Sequence, residues 1–77
     1  MSLAFDIELD TCGLNCPLPI LKAKKSLADM TSGQVIKVMS TDPGALRDFE
    51  AFAKQTGNDL VLQETDGDKF LIWIKRR

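Results

Sequence analysis

Apolar and polar residues alternate from Phe5 to Asp10, with Phe5, Ile7 and Leu9 on one side and Asp6, Glu8 and Asp10 on the other. That period of two predicts a half-buried β-strand. Thr11 to Cys16 breaks the alternation and reads as a loop pivoting on Gly13. From Pro17 the period becomes helical: Ile20, Ala23, Leu27 and Met30 recur on one face, widened by Leu21 and Ala28, while Lys22, Lys24, Lys25 and Asp29 fall mostly elsewhere. A helix is predicted from Pro17, ending near Gly33.

The next stretch, Gln34 to Ser40, is nearly continuous in apolar character and rich in β-branched residues, which suits an interior strand. Asp42 followed by Pro43 predicts a helix start, with Asp42 as the cap and Pro43 as the first helical residue. Ala45, Leu46, Phe49, Phe52 and Ala53 supply the apolar stripe, Glu50 and Lys54 are spaced for a favourable pair, and Gly57 is placed to close the helix. Asp59 to Thr65 reads as a third strand, Asp66-Gly67 as a hairpin turn, and Lys69 to Lys75 as a fourth strand in which Phe70, Ile72 and Ile74 alternate with Leu71 and Trp73.

The resulting order, βαβαββ, places two helices in strand-to-strand connections. Right-handed crossovers put both on the same face of one four-stranded mixed sheet, so the expected fold is a two-layer α/β sandwich of the α+β kind with one open sheet face. Leu71 and Trp73 would point out of that face, with Val35 and Met39 as neighbours. Such a patch can mark a partner or dimer surface. Scattered apolar surface residues are the commoner explanation, so a monomer is expected, with a weak dimer through this face as the alternative.

At 77 residues the chain is read as one domain over residues 1–77, able to bury about 60% of its unfolded surface. Ten basic residues against eleven acidic ones leave a formal charge of -1, which argues against a nucleic-acid binder. No segment approaches a membrane span or a secretory leader, and the expected location is cytoplasmic. Whether Met1, Ser2 and Leu3 all belong to the native chain is left open. Two cysteines without any histidine cannot complete a four-ligand zinc site unless Asp or Glu joins or the protein dimerises, so no metal or other cofactor is expected. The missing histidine also removes any Cys-His couple within the chain.

The chemistry therefore centres on Cys16. If Pro17 and Pro19 are the first and third helical residues, Cys16 is the N-cap, where unpaired N–H groups and the positive end of the helix dipole favour a thiolate. Leu18 would then supply the one near N–H directed at the sulfur. The competing view is a small, buried, inert cysteine before an ordinary proline-initiated helix. Spacing alone balances the two.

Asp10-Thr11-Cys12-Gly13-Leu14-Asn15-Cys16-Pro17-Leu18-Pro19 resembles the Asp-x-x-Gly-x-x-Cys-Pro-x-Pro signature of the TusA family of sulfur carriers, also called SirA-like. The likeness extends to Thr41-Asp42-Pro43, Arg47-Asp48 and Glu64-Thr65-Asp66-Gly67, and so covers almost the whole chain. It implies a βαβαββ sandwich and a sulfurtransferase activity. Cys16 would accept sulfane sulfur from a cysteine desulfurase or rhodanese-like donor, hold it as a persulfide, and pass it to an acceptor protein. Known destinations in the family are tRNA thiolation, molybdenum-cofactor assembly and sulfur oxidation. Gly13, Pro17, Leu18 and Pro19 would shape the site, and Leu21, Lys24 and Asp42 match docking positions, with Lys22 and Lys25 adding charge. The chain departs from the tRNA-thiolating carrier in having Leu18 where that protein has an acid, and Cys12 where it has an apolar residue.

Cys12 has two readings. It is either a small residue packed at the end of the first strand, which base rates favour, or a resolving thiol for Cys16, which requires their Cα atoms within about 7 Å. Two alternatives to sulfur carriage follow: a thiol-disulfide module using Cys12 and Cys16, and a regulatory interaction domain in which Cys16 is inert.

Overall fold

A computed structural model describes residues 4–77; the question about Met1, Ser2 and Leu3 lies outside the described residues. The elements are β1 (Ile7–Asp10), α1 (Leu18–Ala28), β2 (Val35–Ser40), α2 (Ala45–Thr56), β3 (Asp59–Asp66) and β4 (Lys69–Lys75), the order expected from the pattern. They form a four-stranded sheet in the order β1-β2-β4-β3. β1 runs parallel to β2, with Ile7 opposite Ile36 and Leu9 opposite Val38, whereas β4 runs antiparallel to both β2 and β3. The sheet is mixed, and one face carries both helices.

The period-two and helical stripes meet in one core. Ile36, Val38, Ile72 and Ile74 from the sheet pack with Ala23, Leu27, Met30, Ala45, Phe49 and Phe52, and the half-buried Ile7, Leu9, Leu46 and Phe70 complete the layer. Phe49 is fully buried and meets Phe52 edge to face, with centroids 6.2 Å apart at 84°. That geometry is favourable for aromatic quadrupoles and adds to the area both rings bury.

The ends of the elements shift for identifiable reasons. β1 begins at Ile7 because Asp6 pairs with β2 partly through its side chain: its N–H donates to the Val35 carbonyl, while Oδ2 accepts the Val35 N–H, both at 2.8 Å. α1 stops at Ala28, well before Gly33. The Asp29 and Met30 N–H groups turn back to Ser26 and Leu27, and Arg76 Nε donates to the Leu27 carbonyl at 2.9 Å, satisfying the helix end.

The cap of α2 is Gly44 and not Asp42. The Asp42 carbonyl instead accepts the Ala45 N–H and its Oδ1 the Gly44 N–H, so Asp42-Pro43-Gly44 forms a turn ahead of the helix. At the other end Gly57 closes α2 at φ 76°, a left-handed conformation that costs a residue with a Cβ. β3 runs one residue further than expected, to Asp66 opposite Lys69, which moves the hairpin turn to Gly67-Asp68.

The open face differs most from expectation. Trp73 sits opposite Lys37 and Leu62 rather than in the helix-facing core, yet it is fully buried. The Lys37 ammonium lies 5.5 Å from the Trp73 ring centroid and 5.3 Å from that of Phe5, with Glu8 Oε2 at 3.8 Å. A lysine whose side chain is only 16% exposed thus spans two rings and one carboxylate. Val35, Met39 and Leu71 are half-buried, so the chain itself covers the largest apolar residue of the patch.

Candidate functional site

Because β1 and β2 are parallel, their C-terminal ends lie on the same side of the sheet, and each leads into a helix. The starts of α1 and α2 therefore converge there. Two bonds tie the connecting loops together: the Thr11 N–H donates to the Met39 carbonyl, and the Gly13 N–H donates to Thr41 Oγ1, both at 2.8 Å. The buried Thr11 hydroxyl also donates to the Met39 carbonyl. Gly13 adopts φ 83° with open space where a Cβ would stand. Gly13→Ala should therefore lose about 1–2 kcal/mol through backbone strain alone, read as a lower urea midpoint at constant slope.

Cys16 lies at this convergence and its residue is exposed. It is not the N-cap of α1. The helix starts at Leu18 with Pro17 as cap and Pro19 in the first turn, and the Cys16–Pro17 peptide is cis. The first intrahelical bond runs from the Leu21 N–H to the Pro17 carbonyl at 3.0 Å. The Leu18 N–H, expected to face the sulfur, instead donates to the Asn15 carbonyl at 2.9 Å. That bond closes the loop and consumes the donor.

The electrostatics also run opposite to the expected thiolate. The Asp48 carboxylate accepts a hydrogen bond from the Cys16 thiol and holds its pKa above the ordinary value; desolvation and the charges of Asp48 and Asp42 act in the same direction. The reacting-side atoms of Cys16, Asp42 and Asp48 all lie within 4.8 Å of one another. In the resting site the thiol is therefore protonated at neutral pH. Its contribution to stability is present below the ordinary thiol pKa and declines as the pH rises through the elevated value.

Asp48 has no place among the residues picked out for the site by sequence. A signal was present: it lies three residues after Ala45 and four before Phe52, which puts a carboxylate at the edge of the core-facing stripe of α2, half-buried. Its N–H bonds the Gly44 carbonyl at 2.9 Å, and its Oδ2 lies 3.6 Å from where a Cβ on residue 44 would stand. A Cβ at Gly44 would therefore make only ordinary van der Waals contact with that carboxylate.

The other sequence-derived candidates fall in different places. Asp42 joins the site, half-buried. Pro19 is buried in the first turn of α1, while Pro17 and Leu18 are exposed beside Cys16. Leu18 and Leu21 stand 46% and 53% exposed and give the rim an apolar character. Lys22, Lys24 and Lys25 are solvent-exposed on α1. Lys24 is six residues into α1 from Leu18, about 9 Å along the helix, and lines a cleft of about 150 Å³ with Leu27, Phe52, Thr56 and Arg76.

Both cysteines are free thiols; Cys12 is half-buried, whereas Cys16 is exposed. The Cys12 N–H donates to Asp10 Oδ1 at 2.9 Å, and the Asp10 side chain also accepts from the Cys12 thiol and raises its pKa, with burial adding to the effect. Those same two bonds hold the Asp10 carboxyl below its usual range. The two thiols thus engage separate carboxylates. Among the described residues, Cys16, Asp42 and Asp48 are the grouping that could face a metal ion; they amount to one soft and two hard ligands, short of the four of a structural zinc centre.

A mixed sheet covered on one face by two helices, with a free, exposed cysteine before a proline-initiated helix, defines a small thiol-bearing α+β sandwich. Its backbone matches a solved SirA-like protein from Desulfitobacterium hafniense with a TM-score of 0.80 at 27% identity, covering 91% of this chain and 96% of that one. A family model described as sulfurtransferase TusA matches residues 7–76, and the chain belongs to that family. It is 61% identical over 72 residues to the sulfur carrier protein TusA of Allochromatium vinosum, covering 94% of this chain and 95% of that one. The sulfur carrier protein TusA of Pseudomonas syringae is 36% identical over 76 residues, covering 99% and 90% respectively. Among the described residues no helix is long and apolar enough to cross a membrane.

Proposed function

We propose that this protein is a sulfur carrier that holds sulfane sulfur as a persulfide on Cys16 and moves it between a protein donor and a protein acceptor. The observation that carries the reading is the exposed Cys16 thiol at the meeting point of two helix starts, in a chain of the TusA family. An inert core cysteine would be sealed in the interior, and this one is open to a second protein. The apolar rim of Leu18 and Leu21 supports a protein partner, because exposed leucines beside a reactive group gain most when another surface covers them.

The transfer is an exchange at sulfur with no net redox change. The ionised Cys16 Sγ attacks the terminal sulfur of the donor's persulfide; a new S–S bond forms on Cys16, the donor's S–S bond breaks, and the donor cysteine leaves as a thiolate. In the second step a nucleophile on the acceptor attacks the terminal sulfur and Cys16 leaves as the thiolate, which regains a proton. Gly13, Pro17 and Pro19 act in this reading by fixing the loop and helix start, and Asp42 with the lysines of α1 meets the partner's charges. The destinations known in the family, tRNA thiolation, molybdenum-cofactor assembly and sulfur oxidation, all take sulfur from such a carrier.

Incubating the protein with a cysteine desulfurase and cysteine, or with a rhodanese and thiosulfate, should yield a species heavier by one sulfur atom in intact mass. The adduct should disappear on treatment with a reductant. A protein that stays at its starting mass with donors of both kinds overturns the proposal.

A further inference from the structure

The Cys16 thiol is flanked by two carboxylates from the opposite helix start, an arrangement that a permanently active nucleophile would not have. We infer that Asp48 is a positioning residue that keeps the resting Cys16 protonated, seconded by Asp42, and that a cationic side chain of a sulfur-transfer partner unmasks the nucleophile by pairing with these carboxylates. The inference deepens the sulfur-carrier reading and rests on it for the identity of the partner.

The geometry is a cluster. Cys16 Sγ and one carboxylate oxygen each of Asp42 and Asp48 lie within 4.8 Å of one another, and the thiol donates to Asp48. Asp48 comes from the first turn of α2 and Asp42 from the turn preceding it, so both acids reach the thiol from one helix start.

The charges on the remaining elements do not counter them. Asp10, at the end of β1, is engaged with Cys12, and Lys69, on β4, acts on that pair. On α1, Lys22, Lys24 and Lys25 are exposed, as is Arg47 beside Asp48 on α2, and the charges acting on the Cys16 thiol are those of Asp48 and Asp42. Among the described residues no cation activates the thiol, and in this reading an incoming partner brings one.

The proton and electron bookkeeping closes without an added oxidant or reductant. When the partner's cation pairs with Asp48, the thiol loses its acceptor bond to an uncompensated anion and gives its proton to solvent. The resulting thiolate makes the new S–S bond as above, and the donor's leaving thiolate takes up one proton. A guarded thiol also resists stray electrophiles and oxidants between transfers, since the thiolate is the reactive form.

The test follows the pH dependence of iodoacetamide alkylation at Cys16 in a Cys12→Ser background, read by intact mass. The parent should alkylate with a midpoint above that of the same chain unfolded in urea. Asp48→Asn keeps the side-chain shape and removes the charge; its midpoint should fall, with a roughly tenfold faster reaction at pH 7, and Asp42→Asn should fall less. Asp48→Glu should restore much of the elevation, which a purely structural role would not do.

A parent midpoint at or below the unfolded value overturns the inference even if Asp48→Asn fails to fold. An unchanged midpoint in a folded Asp48→Asn protein overturns it as well. Alkylation needs no sulfur donor, so a shifted profile with no sulfur adduct would refute carriage and leave the guard standing, whereas an adduct with an unshifted profile would do the reverse.

Discussion

Cys16→Ser will abolish formation of the one-sulfur adduct, while Cys12→Ser will leave most of it. The asymmetry follows from where each thiol lies. Cys16 is exposed at the loop end beside the exposed Leu18, so a second protein's persulfide can reach it. Cys12 is half-buried, and both its N–H and its thiol are directed to Asp10. Serine keeps the size of the side chain but cannot form a persulfide, so the first loss is expected to be complete rather than graded. Intact mass after incubation with donor, followed by peptide mapping, checks both substitutions. An adduct that persists in Cys16→Ser would move the chemistry to Cys12. Loss of the adduct in Cys12→Ser with Cys16 intact would favour a two-thiol cycle instead.

Phe49→Ala will cost about 3–5 kcal/mol, the usual range for emptying a buried aromatic site. Phe49 is fully covered and sits between the sheet isoleucines and Phe52. A small domain has only about 0.05–0.15 kcal/mol of stability per residue, so this one substitution removes a large part of the total. Urea unfolding followed by far-UV circular dichroism should show a much lower midpoint, or a chain unfolded without urea. Phe5→Ala is the matched control: Phe5 is 41% exposed, with the Lys37 ammonium 5.3 Å from its ring centroid, so its loss should cost under about 1 kcal/mol. Similar losses at the two positions would mean that the core does not lie where the helices meet the sheet.

The pH behaviour connects these results. Because the neighbours of Cys16 are acids, reactivity toward a small electrophile should climb at alkaline pH and be weak near neutrality. A protein partner is exempt from that limit if it brings its own positive charge. Speed with the partner and slowness with small reagents are thus two results of one arrangement.

Order and type of the elements were legible because they depend on local periodicity. The alternation through Ile7, Glu8 and Leu9, the stripe Ala45-Phe49-Phe52, and the run Phe70 to Ile74 each specify a face to bury, and right-handed crossovers leave one layer arrangement. Element ends were less legible. Asp6, Asp42 and Arg76 terminate or extend elements through side-chain or turn hydrogen bonds to partners that the local pattern does not reveal.

The helix start beside Cys16 was visible in Cys16-Pro17-Leu18-Pro19, since proline fits the first turn of a helix and not its interior. Its environment was not. A helix start suggests a stabilised thiolate when considered alone; the fold brings a second helix start beside it, carrying Asp48 thirty-two positions away in the chain. Trp73 shows the same limit, pointing away from the helices yet buried under residues of other strands. Charge sign and burial at a site are sums over everything nearby in space, and they were decided only when the parallel pairing of β1 with β2 placed both helix starts on one edge of the sheet.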